Sequence, residues 1–247
     1  MLANKSSNLW NLKEQNYPRF SYEKCEFQRK VIEISNSWGV EYAGKEIIEI
    51  GCGTGNYTFL LAGLGAKVYA LDFSQKMLDV LENDAKKFEL SQKIVPLCED
   101  FLKFKSDKVY DIAFAAMTPA LFSDDAFLKF TNLAKVRVWL GWAGKRESGL
   151  MSEIFNSHGH AVHAHNTSKD LKAWLEKNKI PYKNQVLEDV WEHKFSTEEA
   201  VNDQAWHLKM HKITPNLEKI ESIVRKFADK NGEVYEKTEV TLEVIKW

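Results

Sequence analysis

A carboxylate, three glycines and a second carboxylate define the chemistry within reach of this chain. Glu49 stands two residues before Gly51, and Gly53 and Gly55 follow at every second position in Glu46-Ile47-Ile48-Glu49-Ile50-Gly51-Cys52-Gly53-Thr54-Gly55-Asn56-Tyr57. Glycine takes positive φ without steric cost and lets a ligand lie close against the backbone. Amides at the start of a following helix would face such a ligand, so the run reads either as a tight turn alone or as a nucleotide-type binding turn. Asp72 follows about 20 residues after the first glycine, where ribose hydroxyls need an acceptor pair. A dinucleotide fingerprint would place its third glycine at position 56, which is Asn.

The histidines form a second group. All seven lie after residue 150, and four fall in the stretch from His158 through His160 and His163 to His165. His207 and His211 are four apart in an expected helix and share one face, a spacing that metal sites use. Three readings stay open: a polar loop with two solvated helix positions, a metal site at His158, His160, His163 and His165, or a general base among His163, His165, His207 and His211. A histidine titrates near neutrality, which suits proton abstraction from a hydroxyl or amine. Lys145 and Arg146 can hold a carboxylate or phosphate or simply open a solvated helix. Trp139, Trp142, Trp191 and Trp206 suit either an aromatic pocket or core packing.

These residues need strands and helices to hold them. A β-branched run ends at Ile50, and Tyr57 to Leu64 reads as a helix. Lys67 to Asp72 is a second strand, and Ser74 caps a helix running to Leu90. Ile94 to Cys98 and Tyr110 to Met117 are further strands, the latter running into Thr118-Pro119. A helix from Asp124 to Ala134 leads to a fifth strand, Lys135 to Leu140. Glycine-bearing residues 141–146 then connect to a helix over 147–155. Later come a helix from Ser168 to Lys179, a long strand from Tyr182 to Phe195, and a capping box Ser196-Thr197-Glu198-Glu199 opening a helix to Lys212. A further helix runs to Lys230, and an alternating stretch from Val234 to Trp247 closes the chain. Before the first strand, the amphipathic run from Tyr22 to Trp38 is either a helix packed over the sheet or a lid.

The pattern E-x-G-x-G-x-G, with carboxylates at the ends of the second and third strands, resembles the class I S-adenosylmethionine-dependent methyltransferases. That resemblance implies a Rossmann-like, doubly wound α/β fold with a seven-stranded, mostly parallel sheet, an N-terminal helical lid and a C-terminal helical insertion. It implies one domain over 1–247, with a lid at 1–40, a cofactor-binding core at 41–145 and substrate-side elements with the final strands at 146–247. S-adenosyl-L-methionine is the implied cofactor and S-adenosyl-L-homocysteine the product. Glu49 would lie near the ammonium and Gly51, Gly53 and Gly55 along the methionine part. Asp72 would take the ribose, Phe73 would lie against the adenine, and Asp100 with the Phe101 amide would meet its polar edge. Cys52, Tyr57, Met77, Ala116 and Met117 complete the implied cofactor set. Tyr17, Arg19, Phe20, Thr118, Trp142, Lys145 and Arg146 are the substrate candidates.

Ala115-Ala116-Met117-Thr118-Pro119-Ala120 departs from the (Asp/Asn/Ser)-Pro-Pro-(Tyr/Phe) element of amino-directed nucleic-acid methyltransferases. The expected acceptor is therefore a small molecule. The rivals are a noncatalytic S-adenosylmethionine-binding protein and an RNA or protein methyltransferase. Lys and Arg number 34 against 35 Asp and Glu in 247 residues, which gives no global field for nucleic acid. Three scattered cysteines suit reduced thiols. No apolar run approaches the roughly 20 residues that cross a bilayer, so the expectation is a cytoplasmic protein without membrane or nucleic-acid partners, of unknown oligomeric state.

Overall fold

The computed structural model describes Trp10, residues 17–162 and residues 166–247. In chain order its elements are α1 (Glu26–Ser37), β1 (Glu46–Ile50), α2 (Thr58–Gly63), β2 (Lys67–Asp72), α3 (Gln75–Lys87), β3 (Ile94–Cys98), β4 (Tyr110–Ala116), α4 (Asp124–Asn132) and β5 (Ala134–Ser148). They continue with α5 (Gly149–Ser157), α6 (Thr167–Lys177), β6 (Lys183–Ser196), α7 (Thr197–Met210), α8 (Leu217–Phe227) and β7 (Glu233–Lys246). The strands form one sheet in the order β3-β2-β1-β4-β5-β7-β6. This is the Rossmann-like α/β architecture that the sequence implies.

Apolar runs with both faces covered are what parallel strands require. Ile47, Ile48 and Ile50 are fully buried, as are Ala113, Phe114 and Ala115. β1 pairs in parallel with both β2 and β4, β2 with β3, and β4 with β5. Arg137 and Trp247 exchange both backbone hydrogen bonds, at 2.9 and 3.2 Å, so β7 runs antiparallel to β5. Chain order reverses direction across the sheet between β1 and β4, the switch point at whose carboxyl ends open α/β sheets bind ligands.

The chain divides into two compact units. One comprises Met1–Trp142, Thr167–Val186 and Glu243–Trp247, and the other comprises Ala143–Asn166 and Leu187–Leu242. β5, β6 and β7 each contribute residues to both. In the first unit Phe127, Phe130, Trp139, Leu171, Trp174, Ile245 and Trp247 close the core. In the second, Leu150, Ile154 and Phe155 of α5 pack with Leu208 of α7 and Ile220 and Val224 of α8.

Local capping follows the side chains. Ser74 accepts from Met77 N–H at 3.3 Å to start α3, and Ser196 with Glu199 forms the expected capping box at α7. One expectation fails. The fifth strand does not stop at Leu140 but continues to Ser148, and α5 starts at Gly149. Gly141 is no strand breaker: a Cβ there would lie 2.0 Å from the Trp139 ring, so glycine makes room for an indole inside the strand.

Candidate functional site

At the carboxyl end of β1 the chain turns through Gly51, Gly53 and Gly55 with φ of +69, +55 and +95°. Side chains other than glycine rarely adopt these values. The turn is held against β2, since the Gly51 and Cys52 amides both donate to the Leu71 carbonyl, at 2.8 and 3.2 Å. Asp72 completes this anchorage. Its Oδ2 accepts from Gly53 N–H at 3.0 Å and its Oδ1 from Ser74 N–H at 2.8 Å. Burial raises the Asp72 pKa, against the pull of these amides.

Glu49 is buried beneath the turn and accepts from Thr58 Oγ1 at 2.6 Å. Burial pushes its carboxyl up to about 8, with Thr58 pulling it down and the Asp72 charge adding to the rise. Among the described residues no cation lies against it. A buried carboxylate in this state is stabilised by any cation brought to it.

Two segments flank the turn. A Cβ on Gly51 would meet Thr118 Oγ1 at 2.2 Å, and one on Gly53 would lie 3.5 Å from Tyr17 Cε1. Pro18, next to Tyr17, accepts through its carbonyl from Thr54 Oγ1 at 2.9 Å and Asn56 Nδ2 at 3.1 Å. Arg19 pairs with Asp84 at 2.9 Å instead, and Phe20 is buried against Phe59 and Phe88. Of those three candidates, Tyr17 alone meets the glycines.

Met117, just past β4, has φ +50° and is held by donating its N–H to the Leu140 carbonyl at 2.7 Å. The other described positive-φ residues apart from glycine, Glu89, Lys179 and Lys212, each follow a helix end, where that conformation is ordinary. At a strand end it marks a constrained position.

The remaining cofactor candidates lie around the same strand ends. Cys52 and Tyr57 are buried, with thiol and phenol pushed up by burial, and Tyr57 packs 5.0 Å from Phe114. Met77 is buried at the first turn of α3, while Phe73 and Ala116 are half-buried. Asp100 Oδ1 accepts from Leu102 N–H at 2.9 Å, and the Phe101 ring sits in the core.

Other candidates have different surroundings. The Trp142 amide accepts Thr167 as a partner, donating to its Oγ1 at 3.1 Å. Within the second unit Lys145 pairs with Glu239 and, at 3.5 Å, with Glu147, and Arg146 is half-buried. His158 bonds through both ring nitrogens, Nδ1 to the Ile154 carbonyl at 2.8 Å and Nε2 to Asn216 N–H at 3.1 Å. His160 is exposed. His207 lies 3.4 Å from Asp203, and His211 is edge-on to Phe155. His163 and His165 lie outside the described residues, among which no group of three or more His, Cys, Asp or Glu could hold a metal. A cavity of about 510 Å³ in the second unit is lined by Ser148, Ser152, Val190 and the charged Glu147, Lys237 and Glu239. It contains none of the cofactor candidates.

Sequence reasoning missed Thr58, Thr54 and Asn56. Their signal was a hydroxyl or amide in the turn and first helical position after a strand-end acid.

Residues 47–136 match the family model of a methyltransferase domain. A stretch of 69 residues is 36% identical to the cypemycin N-terminal methyltransferase of a Streptomyces species, covering 28% of this chain and 26% of that protein. The match thus spans about a quarter of that curated relative's length. The YcgJ protein of Bacillus subtilis superposes with a TM-score of 0.55 at 13% identity, over 89% of this chain and 97% of that one. A methyltransferase from Thiobacillus denitrificans, solved with S-adenosyl-L-homocysteine, superposes with a TM-score of 0.50 at 13% identity, over 96% of each chain. At these identities the structures share the fold. No helix among the described residues is long and apolar enough to cross a membrane.

Proposed function

We propose that the protein is a class I S-adenosylmethionine-dependent methyltransferase that methylates a small-molecule acceptor, a reading supported by the match of residues 47–136 to a methyltransferase domain. S-adenosylmethionine supplies an electrophilic methyl group on a sulfonium, which an acceptor takes by in-line displacement. For such a step the chain has mainly to align donor and acceptor and to exclude water.

The observation that carries the reading is the pairing of a positive-φ glycine turn with a buried carboxylate that has no cation beside it among the described residues. Glu49 receives the amino-acid ammonium, and the glycine backbone lies along the methionine part. Asp72 keeps acceptor capacity for the ribose hydroxyls, because a carboxylate offers about four lone-pair sites and three serve the Gly53, Ser74 and Phe73 amides. Phe73 covers the adenine, and Asp100 with the Phe101 amide meets its edge. Tyr17 and Thr118, which flank the glycines, orient the acceptor.

Support for a small acceptor comes from Met117-Thr118-Pro119 after β4, which lacks the carbonyl-presenting element of amino-directed nucleic-acid enzymes. The Streptomyces relative, named as an N-terminal methyltransferase, matches over 69 residues only, and its acceptor is not carried over to this chain. Incubation with radiolabelled S-adenosylmethionine, a metabolite panel and cell extract tests the proposal. Label in small soluble products supports it; label only in precipitable RNA or protein replaces the acceptor class. Cofactor binding without any transfer makes the protein a noncatalytic binder.

A further inference from the structure

Lys129 of α4 makes contacts that the reading above leaves unused. Its Nζ donates to the carbonyls of Leu102 at 2.9 Å and Phe104 at 2.5 Å, and lies 5.3 Å from the centroid of the Phe101 ring. These residues form the turn after β3 that opens on Asp100. Within it the Asp100 carbonyl accepts from Lys103 and Phe104 amides at 2.9 and 2.8 Å, and the Asp100 carboxylate accepts from Leu102 N–H.

The turn's own bonds thus use Asp100 as their acceptor and leave the 102 and 104 carbonyls to an outside donor. The Phe101 ring anchors one side of the turn in the core, but Leu102 is 45% exposed and packs little. Phe104 packs against the same core from the far end of the turn, so the carbonyls between and beside these rings are held in place by the Lys129 ammonium. An ammonium has three donors and two are spent here. It is half-buried, and the Asp100 and Glu99 carboxylates favour its charged form against the burial that lowers its pKa.

We propose that Lys129 is a positioning residue for base recognition, fixing the Asp100–Phe104 turn so that the Asp100 carboxylate meets the exocyclic amine of the cofactor's adenine. This rests on the cofactor placement proposed above. Lys129 itself touches no ligand atom and acts through the turn.

The test is a ratio of affinities in the full chain. S-adenosylhomocysteine is compared by calorimetry with S-inosylhomocysteine, which carries oxygen in place of the exocyclic amine. A site built to accept from that amine rejects the analogue, so the wild type should prefer S-adenosylhomocysteine by roughly tenfold or more. Lys129→Met should bring the preference down to about two- to threefold, and Lys129→Arg, which restores a charged donor, should recover most of it. Lys129→Gln, with a neutral donor, replaces the Met variant if that one does not fold. Equal weakening of both ligands with the ratio kept would reduce Lys129 to a structural tie and overturn the proposal. A wild type that binds neither ligand would overturn the cofactor reading itself.

Discussion

Gly53 and Asp72 lie 19 residues apart and are joined by a hydrogen bond of 3.0 Å from the Gly53 amide to Asp72 Oδ2. The bond ties the glycine turn after β1 to the end of β2, so the residue assigned to the sugar also shapes the surface assigned to the amino acid.

Asp72→Ala leaves the Gly53 and Ser74 amides without their acceptor. The variant should lose about 1–3 kcal/mol of stability, the cost of a buried donor left unpaired. Urea unfolding measures it, and an unchanged midpoint would mean that water replaces the carboxylate at no cost.

Glu49 makes stability depend on pH. Its folded pKa, about 8, stands above the ordinary 4.5. A carboxyl raised in this way contributes stability fully below the unfolded value and loses it as pH rises through the folded one. Between pH 5 and 8 the wild type should therefore lose stability relative to Glu49→Gln, whose side chain does not ionise. Parallel urea midpoints for the two proteins across that range would refute the assignment. Binding of S-adenosylhomocysteine at pH 7 should release up to about one proton, because its ammonium favours the ionised carboxylate; titration in buffers of different ionisation enthalpy counts it.

Gly51→Ala combines two penalties. The new Cβ would lie 2.2 Å from Thr118 Oγ1 and 2.7 Å from Thr118 Cβ, at a φ of +69°. The left-handed backbone alone costs roughly 1–2 kcal/mol. Adding Thr118→Gly should recover the steric part and leave the backbone part, and a double-mutant cycle with no coupling would show that the contact is relieved in another way.

His158 joins α5 to the start of α8. Asn216 N–H donates to Nε2, so the ring proton sits on Nδ1 and is donated to the Ile154 carbonyl. His158→Ala should lower stability by about 1–2 kcal/mol, while added zinc should leave the melting temperature of both proteins unchanged. A large zinc-dependent rise in the wild type alone would favour the metal reading instead.

The sheet was legible because β1 and β2 are apolar runs that stop at a glycine and an acid, β4 is one that runs out before Pro119, and the Ser74 and Ser196 caps announce their helices. The course of β5 was not, because Gly141 and Gly144 look like turn residues until Trp139 is seen to occupy the space beside Gly141. Spacing alone put Glu49, Asp72 and Met117 at or next to strand ends, where the structure has them. The contacts of Tyr17 and Thr118 with the glycines depend on tertiary packing, as does the hold of Lys129 on carbonyls 25 and 27 residues away. Seven histidines drew attention by number, yet His158 is engaged by a backbone carbonyl and a backbone amide, which no spacing rule reports.

In the proposed reading the turn at 51–55 and Asp72 together hold S-adenosylmethionine. Calorimetric titration of the wild type and Asp72→Ala with S-adenosylhomocysteine, with NAD as comparator, tests it most directly. Saturable binding of S-adenosylhomocysteine by the wild type is expected, weakening by roughly 10- to 100-fold in the variant, with no binding of NAD. Equal affinity in both proteins, or a preference for NAD, would contradict it.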